Sequence, residues 1–299
     1  MKDLMKKNIR KIRYVTSFVS IALMVISVAF MAVRGINLGL DFTGGLVTEV
    51  QLNSDVTNHQ IRDQLSDISG NLLTVTKGGE DGRWILRYPT TSHVESSQIE
   101  QQLHQLSPQV NVISNSVVGA QVGQDLVDQG GLAMLVCMLC ILGYLCFRFE
   151  WRLASGSLLA LLHDVVLVLG FFAATQMEFN LTVFAAILAI IGYSLNDSII
   201  IADRIRELLV SKPNVSIEEN NDNAIIATFS RTMVTSGTTL ITVGALWLLG
   251  GEALAAFATA MFIGILSGTW SSISIGTVLP EWLKLESKHY LPVPVDNAP

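Results

Sequence analysis

Half of the 299 residues are hydrophobic and only 15% are charged, a balance outside the range of soluble domains. The net charge of −6 comes without any basic block, which excludes an electrostatic footprint for nucleic acid. The chain reads as a membrane protein.

Residues 1–13 are basic and precede a first apolar run, 14–33, long enough to span a bilayer at about 20 residues per crossing. No small-residue cleavage site follows it, so it reads as an uncleaved anchor. Residues 34–129 form the large polar region. Alternation predicts strands over 47–52, 72–77, 84–88 and 110–118, and helical spacing predicts helices over 58–68 and 95–106. A glycine-rich turn falls at 78–82, and Pro89 stops the third strand. The order βαββαβ is that of a ferredoxin-like α+β domain. Its acidic residues read as a solvated surface, and His59, His93 and His104 are scattered among other polar groups. No metal or hydrolytic cluster and no phosphate-binding GxxxxGK loop occurs, so neither a cofactor nor an enzymatic role is expected.

A second apolar run, 130–147, holds all three cysteines, Cys137, Cys140 and Cys146, read as buried small apolar residues without a disulfide. The third, 153–177, carries His163 and Asp164 near its middle. An imidazole and a carboxylate in lipid can relay protons, although adjacent helical positions point about 100° apart and need not touch. The fourth, 179–202, contains Asp197 after a long uncharged stretch. A carboxylate there costs at least ~2.5 kcal/mol on insertion scales and is by default a functional candidate. Residues 203–231 begin as an amphipathic helix that ends at Pro213, and Ser216 with Glu219 signals the start of another.

That helix enters the fifth run, 232–251, carrying Arg231 with it. At ~1.5 Å per residue, Asp197 lies about 9 Å and Arg231 about 12 Å from the same membrane edge. A carboxylate facing a guanidinium keeps its charge, whereas one in hydrocarbon favours its proton. Moving between the two surroundings would load and release a proton, and Asn196, Ser194, Thr232 and Thr235 could hydrate the path. The same residues also suit a static ion pair, or an Arg231 that snorkels to the interface. The sixth run, 253–279, holds Gly264 and Gly268 in a close-packing GxxxG pattern, and 280–299 form a tail. Basic residues concentrate in the N-terminus, the connections at 148–152 and 203–231, and the tail, which predicts both termini to be cytoplasmic and 34–129 extracytoplasmic.

Six motifs stand in order along the chain: GLDFTGG at 39–45, VVGAQVGQDL at 117–126, LLHDV at 161–165, GYSLNDSIIIADRIRE at 192–207, SRTMVTSGTTL at 230–240 and GTWSSI at 268–273. Together they resemble the SecF family, the smaller membrane subunit of the bacterial SecDF complex that assists protein export. The family belongs to the resistance-nodulation-division superfamily, whose transporters pair two six-helix halves. The resemblance implies one such half, a six-helix membrane bundle with a periplasmic ferredoxin-like insert, in the bacterial inner membrane. It implies SecD, the SecYEG channel, YajC, unfolded preprotein and membrane lipid as partners. It also implies proton coupling at Asp197 and Arg231, with Asp164 a further candidate. Asp41, Gly44 and Gly45 would form a hinge or a substrate contact. Ala120 and Trp270 depart from the family's usual proline and tyrosine. An exporter of small amphiphiles and a passive channel scaffold are the alternatives.

Overall fold

The computed structural model describes residues 2–69, 73–77, 82–88, 96–108, 110–118 and 120–290. The start of the second strand at 72, the turn at 78–81, Pro89, His93, Glu95 and the tail beyond 290 lie outside them. In chain order the elements are α1 (Lys2–Arg34), a single helical turn α2 (Leu40–Thr43), β1 (Gly45–Gln51), α3 (Asn58–Ser69), β2 (Thr74–Lys77), β3 (Arg83–Tyr88), α4 (Ser96–Leu106) and β4 (Asn111–Val118). There follow α5 (Ala120–Arg148), α6 (Trp151–Thr175), α7 (Leu181–Ser211), α8 (Ile217–Leu249), α9 (Gly251–Ile273) and α10 (Ile275–Trp282).

Among the described residues six helical segments are long and apolar enough to cross a membrane, the last combining α9 and α10. Several run well beyond their apolar stretches. Helix α7, for instance, extends past residue 202 to Ser211, with Arg204 and Glu207 paired at 2.6 Å on its polar extension. Hydropathy marks where lipid begins, whereas the helix persists while spacing and caps allow. Asn180 caps α7 by accepting from Val183 N at 3.1 Å, and Ser216 caps α8 by accepting from Glu219 N at 3.3 Å.

The polar insert forms a four-stranded sheet of order β2-β3-β1-β4, antiparallel throughout, with α3 and α4 supplying the other half of its core. Period-two alternation turns Trp84, Leu86 and Tyr88 of β3 inward. Ile61 and Leu65 of α3 and Ile99 and Leu103 of α4 close over them. Each buried aliphatic side chain of this kind contributes ~1.5–3 kcal/mol.

In the membrane bundle α6 and α7 are the most buried helices and α5 the least. That corrects the reading of the cysteines: Cys140 and Cys146 are exposed, because α5 turns most of its circumference outward. The GxxxG face of α9 meets α7, where a Cβ at Gly264 would stand 2.3 Å from Ile190 Cδ1 and one at Gly268 3.0 Å from Ser194 Cβ. The sixth segment, expected as one helix, breaks at Ser274, whose ψ is −83°. Within α10, Pro280 has no N–H for the Gly276 carbonyl, and that oxygen lies against Gly156 of α6, 2.7 Å from where a Cβ would be.

Candidate functional site

Asp164 sits where α6, α7 and α9 meet, almost completely buried. Its Oδ2 accepts from Ser194 Oγ at 2.5 Å and Ser271 Oγ at 3.0 Å, and its Oδ1 accepts from Ser267 Oγ at 2.9 Å. His163 Nδ1 lies 3.0 Å from Oδ1, so the two adjacent residues do touch despite their angular separation on the helix. An ionised carboxylate has about four acceptor sites, and three serine hydroxyls and the His163 ring surround this one. Ser267 and Ser271 each have a second acceptor in reach, the carbonyls of Gly264 at 3.3 Å and Gly268 at 3.2 Å.

Asp197 lies three residues beyond Ser194 on α7, also almost wholly buried. Its surroundings differ sharply. Among the described residues one hydrogen bond reaches it, from Ser236 Oγ of α8 at 3.4 Å, and Ser236 accepts in turn from Thr269 Oγ1 of α9 at 2.7 Å. Arg231 forms no ion pair with it and lies instead on the wall of a neighbouring cleft. Its guanidinium is exposed and, with Asn196, Arg148, Asp203 and Thr228, lines an open cleft of about 860 Å³ between α5, α7 and α8. Thr232 is buried with its hydroxyl unpartnered, and Thr235 donates back to Arg231 O at 3.0 Å on its own helix. Asp164 and Ser194 are thus brought together, while Asp197 and Arg231 stand near each other without bonding.

The glycine-rich motif lies at the far end of α7 and forms a junction. Asp41 Oδ2 accepts from Leu181 N at 2.9 Å, satisfying an orphan donor of the α7 N-terminus. Gly39 N donates to Phe179 O at 2.9 Å and Phe179 N to Asn37 O at 2.8 Å. Gly44 adopts a φ of +70°, which glycine tolerates best, and a Cβ at Gly45 would stand 2.6 Å from Tyr88 O. Thr74 of β2 adds a bond of 3.0 Å to Glu178.

A second charged cluster escaped the sequence reading. Arg13 of α1 is wholly buried, with Nε 3.0 Å from Asp222 Oδ1 and Nη1 2.6 Å from Glu281 Oε1. Arg10 Nε adds a bond of 3.0 Å to Asp222, and Tyr14 Oη and Asn221 Nδ2 donate to Glu281 at 2.6 and 2.7 Å. The signal was present in two acids at the edges of apolar runs. In the sequence Arg10 and Arg13 carry only the orientation signal of the basic N-terminus.

The C-terminal model of the protein export membrane proteins SecD/SecF matches residues 98–286, and the SecD/SecF GG motif matches residues 29–56. The chain belongs to the SecD/SecF family. Among SecF relatives, the protein translocase subunit SecF of Pseudomonas aeruginosa is 38% identical over 287 residues, covering 95% of this chain and 94% of that protein. SecF of Escherichia coli O157:H7 is 36% identical over 281 residues, covering 92% and 87%. The crystal structure of SecDF, a translocon-associated membrane protein from Thermus thermophilus, superposes with a TM-score of 0.77 at 32% identity over 90% of this chain. A crystal structure of SecDF in a super-membrane-facing form gives 0.72, also at 32% identity over 91%. The chain spans 37% and 38% of those SecDF chains.

Proposed function

We propose that this SecF-type subunit pairs with a SecD-type half and uses the proton motive force to assist export of preproteins through the SecYEG channel, with YajC as an accessory partner. In this reading it lies in the inner membrane, with both termini cytoplasmic and the sheet domain periplasmic. The observation that carries the reading is Asp197. This buried carboxylate accepts one long hydrogen bond while a guanidinium stands unbonded nearby. Such a group gains from either a proton or a closer cation, and so has two stable arrangements. Asp164 is the contrasting carboxylate, fully bonded, whose serines couple α6, α7 and α9 to the state of α7.

Movement of one charge through 100 mV supplies about 2.3 kcal/mol, enough to exchange several hydrogen bonds of this kind. Helix α7 runs without interruption from its Asn180 cap to Ser211. Asp197 stands 16 residues from Leu181, the first residue of that helix, or ~24 Å at 1.5 Å per residue. A shift of the helix at Asp197 would be delivered to Asp41, Phe179 and β1, and through them to the sheet domain that would hold emerging preprotein.

Asp197→Asn in vesicles reconstituted with the other subunits should remove the gradient-dependent stimulation of export and leave the protein folded and assembled. Undiminished stimulation in that variant would end the coupling role. Proton flux in the same vesicles separates this motor from a passive scaffold, and crosslinking to a nascent secreted chain separates it from an exporter of small amphiphiles.

A further inference from the structure

Between α1, α6 and α9 lies a cavity of about 260 Å³ that the proton-coupling reading does not use. Its walls are mostly apolar, from Val19 and Leu23 of α1, Leu167 of α6, and Ile263 and Leu266 of α9. Val19, Leu23, Leu266 and Trp270 are exposed on the bundle surface, so the cavity opens outward from the helix packing. At the ~30 Å³ of a water-sized group the cavity holds about nine non-hydrogen atoms.

Two buried polar side chains line it, with unspent and complementary capacities. His163 spends Nδ1 on Asp164, while its buried Nε2 has no partner among the described residues. In the tautomer whose Nδ1–H donates to the carboxylate, Nε2 is a bare acceptor. Ser20 accepts from Trp270 Nε1 at 2.9 Å, and its own hydroxyl proton is engaged by no acceptor among the described residues. The third hydroxyl on the wall, Ser267, is already committed to Asp164. A hydroxyl is the smallest group that accepts from Ser20 and donates to His163 at once. A carboxylate would find no cation lining this cavity, and a hydrocarbon end would leave both groups unsatisfied.

We propose that this cavity is a binding site for a neutral, hydroxyl-bearing membrane amphiphile whose alcohol group bridges Ser20 and His163. The aliphatic chain runs out between Val19, Leu23 and Leu266 into the bilayer. The ligand would contact the ring that is bonded to Asp164, which places an occupant from the lipid phase one side chain away from the carboxylate joining three helices. Water shares the O–H chemistry but lacks the chain, and the experiment separates the two.

The full-length protein in lipid nanodiscs is photolabelled with a diazirine-bearing octanol and the adducts are mapped by mass spectrometry, with 1-octanol or octane as competitor. The site predicts adducts within residues 16–24 and 263–270 that 1-octanol depletes and octane does not. Leu266→Trp, at an exposed position, fills the cavity and abolishes the adducts in a folded protein. His163→Leu weakens capture about fivefold, the value of one hydrogen bond, and erases the preference for alcohol over alkane. Adducts scattered along the lipid-facing helices, equal competition by octane, or no competition by 1-octanol, the result for a site that takes only water, would each overturn the proposal. None of these readouts depends on proton coupling, so the two readings stand or fall separately.

Discussion

Arg13→Met is the sharpest test of the buried cluster that joins α1, α8 and α10. Methionine keeps the apolar stem and removes the guanidinium, leaving Asp222 and Glu281 without the cation between them. Breaking a buried ion pair by removing one partner costs ~3–5 kcal/mol, because the remaining charge is stranded. Here the loss should fall near ~3 kcal/mol: Asp222 keeps Arg10, whose side chain is 46% exposed, and Glu281 keeps Tyr14 and Asn221. At roughly 2–4 °C per kcal/mol for a chain approaching this size, Tm should drop by about 6–12 °C. Scanning fluorimetry of the purified protein in nanodiscs reads this directly. Adding Asp222→Asn and Glu281→Gln should restore more than half of the loss, since the stranded charges are then gone. A Tm for Arg13→Met within about 2 °C of the parent would mean that water reaches the cluster, and the reasoning would fail.

Asp164→Asn exchanges acceptor sites for an amide donor aimed at the same serines, and should cost ~1–3 kcal/mol, read as a lower Tm. Ser267→Ala in the same background should then cost little. Asp41→Leu strips a bond from the first amide of α7 at a cost of ~1 kcal/mol, whereas Asp41→Asn retains an acceptor and should be nearly neutral; hydrogen exchange at Leu181 and Val183 distinguishes them. In the sheet domain, Arg83 bonds Glu49 at 2.6 Å and holds its carboxyl below the ordinary value of 4.5. A depressed acid contributes stability above its unfolded value that is lost as pH falls through the folded one. Limited proteolysis of the sheet domain should therefore accelerate below about pH 4.5 in the parent, and Glu49→Gln should flatten that dependence.

Local pattern carried much of the architecture. Alternation in 84–88 and turn residues at its ends mark β3 because a half-buried strand has a two-residue period, and the insert's βαββαβ order follows from such signals. Gly264 and Gly268 announced a close helix contact, which α7 supplies. Asp197 stands out in the sequence as a lone charge in a long apolar run, and the structure buries it there. The bonding of Asp164 was not, since its partners Ser194, Ser267 and Ser271 lie 30, 103 and 107 residues away, and a serine in an apolar helix is equally at home bonded to its own backbone. The break at Ser274 was hidden for a related reason. Hydropathy continues across it, so nothing in the apolar pattern marks where α9 ends and α10 begins.

Arg13 and Glu281 are 268 residues apart, and that interval sets an order of events during biogenesis. At ~5–20 residues per second, ribosomes need tens of seconds after making the first anchor before the last of its two carboxylate partners is synthesised. Until Asp222, 209 residues on, is made, the arginine must stay hydrated, its stem at the interface and its head outside the hydrocarbon. Helix α8 brings the first carboxylate and α10 the second. A nascent chain stopped short of residue 222 would display a cation with neither carboxylate in reach at the membrane surface.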